Sequence, residues 1–227
     1  MPMPMPSFVH TDNKPPPSLT SATSLEAHIP FFDFPPGSPK LFLPSPSFTY
    51  AIAEQHINSF FKHKYPVFPI LNRERLLEQL TVFHHSPETY SLIAALCGAV
   101  ISQTQPDTGS VSSPQSSTGA DTTAGTDFFL GEVKRARQYF DYIEKPTLAD
   151  VQTSFFLFAT LFNADRHNSA WFVLRESMTM LQMMRLHEEE TYLKMEDKLE
   201  ALYSRRTFWL MFLTERYLPC NLILVIY

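Results

Sequence analysis

Apolar residues recur along this chain at helical spacing, and no stretch alternates as a strand would. Ala53, Ile57, Phe60 and Phe61 mark one face of a helix from about Thr49 to Lys64. It must stop at "YPVFPIL", because Pro66 and Pro69 push the residues before them into extended backbone. Asn72 is placed to cap a short helix carrying Leu76, Leu77 and Leu80, and Ser86-Pro87 reads as an N-cap followed by a first-turn proline. The helix opened by Pro87 sets Ile93, Leu96, Cys97 and Val100 on one stripe. Further on, Phe129, Val133, Ala136, Phe140 and Ile143 follow one another at spacings of four and three. Thr147 and Asp150 have the spacing of a capping box, and the "LADVQTSFFLFATLFNA" around them is apolar nearly all round, which assigns it to the centre of a bundle. Helices from about His167 to Leu186 and Glu196 to Tyr217 bring the count to about seven. The pattern predicts an all-α helical bundle.

Two stretches break this texture. Residues 1–47 hold 12 of the 19 prolines, which forbids regular helix or sheet and predicts a disordered, Pro-rich tail. Within it, "IPFFDFPP" is either a short docking motif or a segment that packs on its own domain. Residues 104–126, rich in Ser, Thr, Gly and Pro, read as a disordered loop between helices. The domain therefore runs from 48 to 217, with an apolar end at 218–227. Joining "NLILVIY" to the Phe208–Leu213 run does not make a membrane span, because Glu215, Arg216 and Pro219 fall near its middle.

Charge and chemistry narrow the function. With 18 Lys plus Arg against 23 acids the net charge is -5, which argues against a general surface for nucleic acid or anionic lipid. Two cysteines, Cys97 and Cys220, cannot build a disulfide framework or a four-thiolate zinc site. No targeting signal opens the chain. His56 and His63 lie seven apart on one helix and His84-His85 adjoin a helix start, without acidic or thiol partners at matching positions. Met178, Met180, Met183 and Met184 could line a ligand pocket or fill the core. No nucleophile or acid–base pair with a partner can be named, so no catalytic, metal or DNA-binding residue is assigned and no enzyme is expected.

One charge stands out. On a helix through Leu199–Tyr217, the residues Leu199, Leu202, Tyr203, Leu210, Leu213 and Tyr217 share a stripe with Arg206 in its middle. A guanidinium buried there needs a partner, and Glu176, an acid among Phe172, Met180 and Met183 on the preceding long helix, is the candidate for a structural ion pair. The alternative is that Arg206 snorkels to the surface with its stem on the stripe.

Three segments in this order, "AEQHINSFFKHKYPVFPILNRERLLEQL", "AWFVLRESMTMLQMMRLHEEE" and "EALYSRRTFWLMFLTER", resemble the fungal-specific transcription factor domain. That domain is the regulatory middle region of Zn2Cys6 binuclear-cluster regulators, and the likeness is to the sugar-responsive type. The third segment carries the family signature on Arg205, Arg206, Phe208, Trp209, Glu215 and Arg216. The resemblance implies a non-catalytic regulatory domain, effector-sensing in sugar or carbon metabolism, that works in the nucleus, with the cytoplasm as the alternative. It implies homo- or hetero-association with a full-length regulator and a small-molecule effector whose binding residues are unknown. No cysteine precedes Cys97, so the family zinc cluster is absent, no cofactor is expected, and neither is direct DNA binding. After Arg216, where relatives continue through more helices, the chain runs into "YLPCNLILVIY", so the resemblance implies a truncated domain. A stand-alone helical protein that binds or sequesters a full-length regulator is the competing function.

Overall fold

The structure, a computed structural model, describes residues 41–103 and 118–217. Eight α-helices and no strand are found among them: α1 (Tyr50–His63), α2 (Arg73–Leu80), α3 (Pro87–Gln103), α4 (Thr118–Ala136), α5 (Leu148–Asn163), α6 (His167–Met183), α7 (Glu189–Lys194) and α8 (Lys198–Tyr217). The expected starts are chemically visible. Asn72 Oδ1 accepts from Arg75 N at 2.8 Å, Ser86 Oγ from Thr89 N at 3.2 Å, and Thr147 with Asp150 forms a reciprocal capping box. Each cap satisfies backbone donors that the first helical turn leaves orphaned.

The two most apolar helices lie at the centre. α3 is buried from Tyr90 to Val100 and α5 from Asp150 to Leu161, and they pack on each other, on α1 and α4, and on α6. Their close approach needs Gly98, where a Cβ would stand 3.3 Å from Phe129 Cβ and 3.4 Å from Thr160 Oγ1. A second focus is aromatic. The Phe48 ring meets Phe83, Tyr90 and Phe129 edge-on at centroid distances of 5.4, 5.2 and 5.1 Å. Complete burial of Phe48 contributes about 2–3 kcal/mol.

The chain ahead of α1 is fastened to this cluster. Phe42 packs on Tyr90 at 5.0 Å, Ser45 N donates to Tyr90 Oη at 3.2 Å, and Arg135 donates to the Leu43 carbonyl at 2.5 Å. Residues 41–48 thus form a strap over α3 and α4, and ordered contacts begin before Phe48. The rest of the predicted tail, residues 1–40, lies outside the described residues, as do 104–117 and 218–227.

Three boundaries differ from the sequence pattern. α4 starts at Thr118, inside the stretch read as loop, and its Thr126 is buried while Gly125 lies against Ile101 of α3. Packing on a neighbour overrides the weak helix propensity of such residues. α4 also ends sooner, passing through a single 3-10 turn, Arg137–Tyr139, to extended backbone at Phe140 and an exposed Ile143. α6 stops at Met183, because Arg185 adopts φ 56° and Leu186 N turns back to the Leu181 carbonyl at 3.0 Å. That turn makes room for α7, which the pattern did not predict. No helix among the described residues is long and apolar enough to cross a membrane.

Candidate functional site

α8 faces the opposite way from the hydrophobic stripe. Its buried side is Ala201, Ser204, Thr207, Met211 and Thr214, whereas Leu199, Leu202, Trp209 and Leu213 are 36, 39, 53 and 44 % exposed. Small residues let the helix approach its neighbours α5, α6 and α7, and Thr207 and Thr214 spend their hydroxyls on their own i−4 carbonyls, each at 2.8 Å. A threonine satisfied in this way enters the interior without an orphaned donor.

The structure does not bring Arg206 and Glu176 together. The Arg206 guanidinium stacks over Tyr203 at 5.2 Å and makes long hydrogen bonds to Tyr65 Oη (3.4 Å) and the Pro69 carbonyl (3.5 Å). Turning the stripe outward carries Arg206 towards the α1–α2 connection and away from α6. Tyr65 and Tyr203 hydroxyls lie 3.3 Å apart, and this hydrogen bond pushes the Tyr65 phenol above its ordinary range. Glu176 instead meets Arg137 from the 3-10 turn, an acid–base match that helical periodicity could not reveal.

Of the other signature residues, Arg205 and Glu215 tie α8 to its neighbours, and the contacts of Arg216, Phe208 and Trp209 lie within α8. Arg205 pairs with Glu189 and stacks over Tyr192 at 4.6 Å, fixing α7 to α8. Glu215 pairs with Arg175 of α6, and Arg216 lies over the Phe212 ring at 5.1 Å. Phe208 contacts Trp209 and Phe212 at centroid distances of 5.6 and 6.1 Å.

Beside this array lies a cleft of about 270 Å³ between α2, the start of α5 and the first turns of α8. Asn72, Arg75 and Gln79 line it from α2, Gln152 from α5, and Glu200 and Tyr203 from α8, against an apolar wall of Leu71, Leu76 and Leu92. Gln152 is only 5 % exposed, and its Nε2 donates to the Ile70 carbonyl at 2.7 Å. Asp197 fastens the rim: one carboxylate oxygen accepts from Leu199 N and Glu200 N at 2.9 and 3.1 Å, the other from Arg75 at 2.5 Å. The Glu200 amide and then Arg75 hold the Asp197 carboxyl below its ordinary value. One signal for the cleft was present in the sequence, a glutamine amid the apolar residues of α5.

The remaining candidates lie elsewhere. Met180 is core, Met178 and Met184 pack against it, Met183 is exposed, and none lines the cleft. His56 Nδ1 lies 2.7 Å from the Ile52 carbonyl and His84 Nε2 3.0 Å from that of Phe48. Among the described residues no three His, Cys, Asp or Glu side chains group as metal ligands would. Cys97 is sealed in α3, where burial pushes its thiol far above the ordinary range.

Comparison with known proteins gives the family. Residues 57–222 match the fungal specific transcription factor domain. The chain is similar to "Probable sucrose utilization protein SUC1" of Candida albicans, 31 % identical over 156 residues, which are 68 % of this chain and 29 % of that protein. It therefore spans less than a third of that relative's length. No solved structure matches the chain. The match takes in every helix from the middle of α1 onward, the cleft and the Arg205–Arg216 array included, and the chain belongs to the fungal specific transcription factor domain family.

Proposed function

We propose that this chain is a regulatory domain in the transcriptional control of sugar use, working in the nucleus, without catalysis or DNA reading of its own, and set by a small effector. The observation that carries this reading is the family match over residues 57–222, joined to likeness with a protein named for sucrose utilization. The buried polar groups support it. Glu132 is held by Tyr90 and Arg135, and Glu176 by Arg137 and Ser154, so these acids tie elements together. The residues present do not suit the family's zinc cluster, since Cys97 is closed inside the core and the chain has two cysteines in all. To test the reading, the chain is fused to an unrelated DNA-binding module driving a reporter in yeast. Output should differ several-fold between growth with sucrose or another sugar and growth on a non-sugar carbon source. Equal output on every source sinks the effector-sensing reading.

The exposed stripe of Leu199, Leu202, Trp209 and Leu213 favours a second reading, in which the chain acts by associating with a full-length regulator. Recovery of such a regulator on the immobilised chain, unaffected by sugar, supports this reading over effector sensing.

A further inference from the structure

We infer that the cleft between α2, α5 and α8 is the effector site and that it takes a small, neutral, polyhydroxylated molecule of about monosaccharide size. This rests on the effector-sensing reading above and specifies where and what the domain senses. The size follows from the volume: about 270 Å³ is the share of about nine waters, which suits a ligand on the order of ten to twelve non-hydrogen atoms. The lining combines planar hydrogen-bonding groups, Asn72, Gln79, Gln152 and Glu200, with leucines and the Tyr203 ring. Such a surface matches a molecule with hydroxyls at its edge and C–H groups on its face.

Charge selects against anions. Arg75 is already neutralised by Asp197 at 2.5 Å, and the Glu200 carboxylate, with no ion-pair partner among the described residues, repels an anion. The other polar groups in the lining, Asn72, Gln79, Thr147 and Gln152, are uncharged. Gln152, whose Nε2 is spent on the Ile70 carbonyl, also lines the cleft, and its amide oxygen is of the acceptor type that a ligand hydroxyl satisfies.

The site also has a route for a response. A molecule touching Glu200 and Tyr203 from one side and α2 and Gln152 from the other clamps the first turns of α8. Tyr203 continues that clamp to Tyr65 and Arg206, and through α8 to the exposed Leu199–Leu213 stripe. Occupancy therefore steadies the face on which another protein surface would dock.

The test uses the full 227-residue chain with glucose, sucrose and glucose 6-phosphate as separate probes, followed by calorimetry and hydrogen exchange. Glucose should bind saturably and slow exchange in residues 72–80, 147–152 and 198–206, and sucrose, about twice that size, should bind more weakly. Glu200→Ala and Gln79→Trp, both at exposed rim positions, should weaken that binding by about tenfold or more while the circular dichroism stays unchanged. Sugars also stabilise proteins by exclusion from the surface, an effect that survives Gln79→Trp, so equal stabilisation of that variant and the parent chain overturns the inference. Tighter binding of glucose 6-phosphate, or protection confined to other helices, overturns it as well. The two readings separate: a sugar-dependent reporter that ignores both variants removes the cleft and keeps the function, whereas cleft binding with a silent reporter does the reverse.

Discussion

The Arg137 guanidinium lies 3.3 Å from the Glu176 carboxylate, with the two side chains 9 and 20 % exposed. It also donates to Ser154 Oγ at 2.6 Å and stacks over Tyr142 at 4.3 Å, so one cation joins the turn after α4 to α5 and α6. Arg137→Ala strands a half-buried carboxylate and should cost about 3 kcal/mol. Denaturant titration of single and double variants should show coupling of about 1–2 kcal/mol between Arg137 and Glu176, and additivity within about 0.5 kcal/mol between Arg206 and Glu176.

Tyr90 is the post to which the strap is tied. Its hydroxyl donates to Glu132, accepts from Ser45 N and lies 3.3 Å from Arg135; burial and then the Glu132 bond push its phenol well above the ordinary range. Tyr90→Phe should cost about 1–3 kcal/mol, because the groups it served stay behind without partners. Protease cutting within residues 41–48 should accelerate in that variant. An unchanged digestion pattern would remove the strap from the fold.

Acid should loosen α8 from its start. Asp197 has a lowered folded-state pKa, first from the Glu200 amide and then from Arg75. For a lowered carboxylate the stabilisation is present above the unfolded value and is lost as pH falls through the folded one. Between about pH 5 and about pH 3 the melting temperature should fall further in the parent chain than in Asp197→Ala. Asp150 has the opposite sign: burial raises it, so its contribution is present below the unfolded value and is lost as pH rises through the folded one.

Cys97 should be silent to thiol reagents in the native state. Its side chain is fully buried in α3, and the thiolate that such reagents need is disfavoured there. With Cys220→Ser leaving a single thiol, labelling should follow global unfolding in denaturant. Labelling as fast as that of a free thiol would contradict the packing of α3.

The α8 stripe should matter more for association than for folding. Leu213→Glu should change stability by about 0.5–1 kcal/mol, as at a partly exposed position, and should abolish recovery of a full-length regulator on the immobilised chain. The emission of Trp209, half exposed in the free chain, should shift to shorter wavelength when that partner binds. Unchanged recovery with Leu213→Glu argues against this face.

Most of the helices were legible because their starts are written in side-chain chemistry: Thr49, Asn72, Ser86 and Thr147 each sit one residue ahead of a helix and accept a backbone hydrogen bond. The orientation of α8 was not. Hydrophobic periodicity weighs side chains by how apolar they are, and it selects Leu199, Leu202 and Leu213 as the inner face. Burial instead went to Ala201, Ser204 and Thr207, because small side chains allow close approach and threonine can satisfy its own hydroxyl within the helix. The partner of Glu176 escaped for a related reason, since it comes from a turn that breaks the periodicity. The cleft has no contiguous motif; its residues come from three helices, and only Gln152 looks out of place in its own segment.

The strap also bears on where this fold can be joined to other sequences. The family match opens at Ile57, halfway along α1, and a splice set there or at the first turn of α1 discards Phe42, Ser45 and Phe48. Tyr90 then loses two aromatic neighbours and a hydrogen-bond donor, and Arg135 loses the Leu43 carbonyl. A functional seam in a gene fusion, an exon junction or a shortened protein therefore has to fall ahead of Leu41, about sixteen residues upstream of the point where the family match opens.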